Sequence, residues 1–91
     1  MFGAVTLHGP TGSLLWGYRS AATLTDWRIV KEKDKPTWKL TARVRTLDTY
    51  QSRQRPLLFT APREGGRWCW DVQDLDISEQ QLTATLGPPL Q

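Results

Sequence analysis

The sequence predicts an all-β fold, a small barrel or a strongly bent sheet of six to seven short strands. From Thr37 to Thr46, Trp38, Leu40, Ala42 and Val44 alternate without error with Lys39, Thr41, Arg43 and Arg45, the period-two pattern of a half-buried strand. The alternation returns in Trp68, Trp70 and Val72 against Cys69, Asp71 and Gln73, and again in Leu82, Ala84 and Leu86 against Thr83 and Thr85. Turn-forming clusters separate these runs: Gly9-Pro10-Thr11-Gly12, Glu32-Lys33-Asp34-Lys35-Pro36 and Glu64-Gly65-Gly66-Arg67.

Taken in chain order, Phe2 to Leu7 and Leu14 to Tyr18 are strand candidates on either side of Gly9-Pro10-Thr11-Gly12, which makes them the first expected hairpin. Leu24 to Lys31, with Trp27 and Ile29 on one parity and Arg28 on the other, is the next strand. The tract Glu32 to Pro36 has the length of a hairpin connection into Thr37 to Thr46. Asp48 to Arg55 lacks alternation; Asp48 suits a helix N-cap and Pro56 a helix stop, so one short helix near residues 48–55 is compatible with it. Pro56 to Ala61 is a short apolar strand, and the glycines of Glu64 to Arg67 suit a tight turn. Ser78 to Gln81 is a turn or a single helical turn. Gly87-Pro88-Pro89 is expected to end the ordered chain.

Ninety-one residues make one small domain, residues 1–91, able to bury about 60 to 70% of its unfolded surface. Five Trp, two Tyr and two Phe are too much aromatic surface for a disordered chain. The single Cys69 excludes an intramolecular disulfide. Unbroken apolar runs such as Leu14-Leu15-Trp16 reach only three residues, far short of the roughly 20 of a membrane helix, and the N-terminus lacks a signal-peptide pattern. A cytoplasmic protein without a membrane partner is the expectation.

The net charge of +3 conceals an uneven distribution. All twelve Lys and Arg precede Trp68, whereas Asp71, Asp74, Asp76 and Glu79 follow it with no base among them. The ordinary use of such charges is pairing across neighbouring strands, and that is the expectation for the acidic strand. A basic body with an acidic last quarter also defines electrostatic faces for partners.

Catalysis finds few parts. His8 and Cys69 are the only imidazole and the only thiol; a lone Cys in a strand reads as a small packed hydrophobe and His8 as a surface residue. One His and one Cys cannot complete a zinc site. Asp74 and Asp76, interleaved with Leu75 and Ile77, do not match a calcium loop. The glycines at 9, 12 and 17 lack the Gly-Lys-Ser/Thr of a phosphate loop and are read as hairpin glycines. Ribonucleoprotein motifs, a cysteine-histidine finger and a GxSxG elbow are all absent. Neither an enzyme nor a cofactor is expected.

Two functions remain. One is a protein-interaction or assembly module that binds a protein partner or further copies of itself. Trp and Arg are the usual interface anchors, and Leu57, Leu58 and Phe59 are candidates for an exposed interaction edge. The other is single-stranded nucleic-acid binding by a basic face of Lys39, Arg43 and Arg45, extended by Arg53 and Arg55 and followed by Arg63 and Arg67 on or near loops. Stacking platforms for it are scarce, because Trp27 and Trp38 fall on the core parity; Tyr18, Tyr50 and whichever of Trp16 and Trp68 stays exposed remain.

Overall fold

The computed structural model describes residues 6–48 and 57–90. They form six antiparallel strands: β1 (Thr6–Trp16), β2 (Arg19–Lys31), β3 (Trp38–Leu47), β4 (Leu57–Arg63), β5 (Gly66–Ser78) and β6 (Gln81–Pro89). The strands close into a barrel in the order β1-β2-β3-β6-β5-β4, so closure rather than bending is the outcome. Two three-stranded meanders, β1-β2-β3 and β4-β5-β6, join along two seams, Ser13–Trp16 of β1 against β4 and Trp38–Arg43 of β3 against β6. No helix occurs among the described residues; residues 49–55, most of the segment compatible with one, lie outside them.

β3 follows its alternation as expected. Leu40, Ala42 and Val44 are buried, Trp38 is half-buried, and Lys39, Thr41, Arg43 and Arg45 face solvent. The β6 side chains Leu82, Ala84 and Leu86 are likewise buried. The interior is filled by aliphatic side chains and two aromatic groups. Trp27 meets Phe59 edge-on at 5.2 Å between ring centroids, and Trp38 meets Trp70 edge-on at 5.0 Å. Trp27 and Trp70 are fully buried, whereas Trp16, Trp38 and Trp68 are only partly covered.

The expected first hairpin is wrong. Gly9-Pro10-Thr11-Gly12 lies inside one continuous strand, and the chain turns instead at Gly17-Tyr18, where Gly17 has φ 64° and Trp16 pairs with Arg19. A left-handed first residue is what a two-residue type II′ hairpin asks of glycine. Gly9 and Gly12 serve a different purpose. The indole of Trp27 lies on the backbone there: a Cβ at Gly9 would stand 2.7 Å from its ring, and its Nε1 donates to the Thr11 carbonyl at 2.7 Å. Residues typical of a turn thus serve as a flat floor for an aromatic ring.

β2 also departs from a simple period. Between Thr25 and Arg28 it carries an extra residue relative to β3, with Asp26 at φ 50°, so the buried parity changes from Ala22 and Leu24 to Trp27 and Ile29. Such a bulge re-aims side chains, and here it turns Trp27 onto β1. The far end of β6 corrects another expectation. Gly87-Pro88-Pro89 does not end the ladder, because Pro89 still pairs with Trp70 and the Leu90 amide donates to the Cys69 carbonyl at 2.8 Å. The prolines sit where β6 carries an extra residue against β5, the place where a missing N–H is tolerated.

Candidate functional site

Because the barrel closes on a packed interior, the chemistry available to a partner lies on its outer surface. Outward residues fall into ranks running around the ring. One rank reads Arg28 on β2, Thr41 on β3, Thr83 on β6 and Asp76 on β5; the next reads Val30, Lys39, Thr85 and Asp74. Arg28, Lys39, Arg43, Asp74 and Asp76 are all exposed. The basic strands β2 and β3 are separated from the acidic strand β5 by β6, whose outward residues Gln81, Thr83 and Thr85 are uncharged.

The expected pairing of acidic and basic strands as neighbours is therefore corrected. β5 is bonded to β4 and β6, so Asp74 and Asp76 face threonines rather than bases. With strands about 4.8 Å apart, the three steps from Asp76 to Arg28 span roughly 14 Å and the two from Asp74 to Lys39 roughly 10 Å, both beyond the ~8 Å Debye length of physiological salt. The opposite charges do little to neutralise each other within one molecule.

A second feature is an open groove of about 480 Å³ across the outer face of β1, β2 and β3, reaching Pro62 and Arg67. Its walls carry the hydroxyls of Thr11, Ser13, Thr23, Thr25 and Thr46, with Arg45 on the β3 side and Arg67 on the β5 side. The Thr23 and Thr46 hydroxyls share a hydrogen bond at 2.6 Å. Arg67 is held in place by its Nε, which donates at 3.0 Å to the hydroxyl of Thr60, the only buried polar residue among those described. Arg45, outward by the alternation of β3, is the extra residue of a bulge between the pairs Thr23–Thr46 and Leu24–Val44, so Thr46 beside it is exposed as well. Hydroxyls between two guanidinium groups offer hydrogen-bond donors and positive charge to an oxyanion.

Three further sites complete the surface. Tyr18 is wholly exposed at the β1–β2 tip, beside Arg19. The Arg63 guanidinium lies over the Trp68 ring at 4.5 Å, and Trp68 leans on Trp70 at 6.2 Å. In the β2–β3 loop, the Thr37 hydroxyl donates to Glu32 Oε1 at 2.6 Å and the Lys31 ammonium to the carbonyls of Glu32 and Lys35. The Thr37 hydrogen bond is the main reason the Glu32 carboxyl titrates below its usual range; desolvation opposes it, and Lys35, Lys39 and Lys31 reinforce it.

Of the residues the sequence singles out, Lys39, Arg43 and Arg45 share the exposed side of β3. Arg53, Arg55 and Tyr50 lie outside the described residues. The edge expected at Leu57, Leu58 and Phe59 is corrected: β4 is bonded to β1 on one side and β5 on the other, Leu57 and Phe59 are core side chains, and Leu58 is half-buried. His8 on β1 pairs with Arg28 and Cys69 on β5 with Thr60, with β4 between the two strands, so thiol and imidazole are not brought together. No group of three or more metal-ligating side chains gathers among the described residues. Arg67 belongs to the expected basic set, but the groove, its hydroxyl lining and the anchoring of Arg67 on Thr60 go beyond the sequence reading. The faint signal for them is the Thr-x-Ser/Thr texture of Thr11–Ser13 and Thr23–Thr25, hydroxyls at every second position of a strand.

The chain matches no protein-family model, no curated protein and no solved structure, so the functional reading rests on this surface.

Proposed function

We propose that the protein is a non-enzymatic interaction and assembly module that works through the outer faces of its barrel. The observation that carries this reading is the division of exposed charge between two sides of one small ring, basic on β2 and β3 and acidic on β5, with uncharged β6 between them. Charge that is not neutralised internally over such distances is available to steer and orient a protein partner. The half-buried Trp68 under Arg63 and the exposed Tyr18 add the aromatic and guanidinium anchors that interfaces favour.

The groove favours a second reading, binding of a single-stranded nucleic acid whose phosphates would run between Arg45 and Arg67 over the hydroxyls. One pair of measurements separates the two. Fluorescence anisotropy with a single-stranded oligonucleotide is expected to give weak binding at about 0.15 M salt, while light scattering or partner capture reports protein association that salt weakens. Tight oligonucleotide binding would reverse the order if its log affinity falls by about 0.7 per contacted phosphate for each log unit of salt and if Arg45→Gln with Arg67→Gln abolishes it.

A further inference from the structure

The strand order places the two charged sides in a definite relation. In a ring ordered β1-β2-β3-β6-β5-β4, β2 and β5 are three strands apart in either direction and stand diametrically opposed. β2 and its neighbour β3 present Arg28, Lys39 and Arg43 outward against one exposed acid, Asp26 in the β2 bulge, whereas β5 beyond Arg67 presents Asp74 and Asp76, with Glu79 exposed at the turn that ends it. Asp74 and Asp76 are alternate residues of one strand, which spaces their carboxylates about 7 Å apart along it. Arg28 and Thr41 are direct partners, and Lys39 and Arg43 stand on either side of Thr41, so the three bases form a cluster one strand wider than the acidic pair.

We infer that copies of this chain associate head to tail, the acidic β5 face of one copy seating on the basic β2–β3 face of the next. The inference rests on the assembly reading above and names its partner as a second copy. Within one molecule, three strand widths hold Asp76 roughly 14 Å from Arg28 and two hold Asp74 roughly 10 Å from Lys39, both beyond the ~8 Å screening length of physiological salt. Between two molecules, the same groups reach ion-pair distance. The two faces are different surfaces on opposite sides of the barrel, so the contact is heterologous and leaves a free acidic face at one end and a free basic face at the other. It therefore propagates into a chain or a large ring and does not stop at a two-fold dimer.

The test is sedimentation equilibrium on nuclease-treated protein at about 0.01 M and about 1 M salt, where the Debye length falls from about 30 Å to about 3 Å. Wild type is compared with a basic-face variant (Lys39→Gln with Arg43→Gln), an acidic-face variant (Asp74→Asn with Asp76→Asn) and their equimolar mixture. All four positions are exposed, and a thermal melt confirms that each variant folds. At low salt, the wild-type mass is expected to rise with concentration beyond twice the 10.4 kDa monomer and to return to the monomer at high salt. Each variant alone stays monomeric. The mixture, in which each partner retains one good face, reaches twice the monomer mass and grows no further.

Wild type that remains monomeric at low salt overturns the inference, as do variants that assemble as wild type does or a mixture that stays monomeric or grows past the dimer. If a variant fails to fold, the wild-type salt series still decides the matter. Oligonucleotide anisotropy on the same samples keeps the two failures apart. Monomeric protein that also ignores the oligonucleotide removes self-association alone, whereas tight oligonucleotide binding by the monomer removes the assembly reading itself.

Discussion

Replacing Gly12 with alanine places a methyl carbon 2.8 Å from Cε1 of Phe59, 3.1 Å from its Cζ and 3.2 Å from Cδ1 of Trp27. None of these atoms is the free end of a flexible chain. Both rings are fully buried and brace each other edge-on with 66° between their planes, so neither gives way without displacing the other. Overpacking of this kind costs about 1 to 3 kcal/mol, and the upper part of that range applies where two stiff rings must move. Alanine restricts the unfolded chain and returns about 0.4 to 1 kcal/mol, leaving a net loss of about 2 kcal/mol. For a domain of this size each kcal/mol moves the melting temperature by about 4 to 8 °C, so Gly12→Ala is expected to melt about 8 to 16 °C below wild type by circular dichroism. Gly66→Ala is the control: nothing lies within 4 Å of its added methyl, and its melt should stay at or slightly above wild type. Trimming Phe59 to Leu in the Gly12→Ala background should cost less than in wild type, because the two changes share one contact. If Gly12→Ala melts at or above wild type, the glycine is not there for close approach and the account of β1 as a floor for aromatic rings fails.

Three further outcomes are expected. Trp70→Phe should destabilise less than Trp27→Phe, by about 1 to 2 kcal/mol in urea melts, because the buried Trp70 Nε1 has no acceptor among the described residues whereas Trp27 Nε1 serves the Thr11 carbonyl; equal losses would refute this. Glu79→Gly should raise stability by about 1 kcal/mol, since Glu79 occupies the left-handed region at φ 60° where a side chain is penalised; a lower melting temperature would show that the Glu79 side chain makes a compensating contact. Glu32→Gln should destabilise at neutral pH and not at pH well below 4.5, because a carboxyl whose folded pKa is depressed contributes above its unfolded value and loses that contribution as pH falls through the folded one; a wild-type difference that persists in acid would contradict the sign.

The fold class was legible because β3, β6 and the middle of β5 each present one apolar and one polar side, and β3 keeps its parity until the bulge at Arg45. β1 was not. Gly, Pro and Thr are the residues of a turn, and only the presence of Trp27, fifteen residues beyond Gly12 in the chain, explains why they lie in a strand. β2 hid its first half because a bulge at Asp26 reverses parity, which a period-two reading cannot follow without a partner strand. Leu57 to Phe59 shows a related limit: an apolar run has the same composition at an edge as between two neighbours, and closure alone decides between them. For the candidate site, the sign and strand of each charge were legible, but neighbourhood was not. Asp74 and Asp76 failed to meet the bases because β6 stands between them, a fact of strand order rather than of composition. The groove draws its hydroxyls from β1, β2 and β3 and its second arginine from β5, so no single segment announces it.

The two seams govern the route to the native state as well as its shape. Each meander is built from contacts between chain neighbours, while the seams unite partners such as Leu14 with Phe59 and Leu40 with Ala84, about 45 residues apart. Local hairpins form in microseconds, but a barrel that depends on such distant pairings folds in milliseconds to seconds, and closure of the seams sets that rate. Until then β1, β3, β4 and β6 are all unbonded on one side. The same two seams can be satisfied by the complementary meander of another chain, so refolding at high concentration should yield an exchanged dimer in which β1-β2-β3 of one molecule closes on β4-β5-β6 of its neighbour. Slow, dilute refolding is the condition that favours the monomeric barrel.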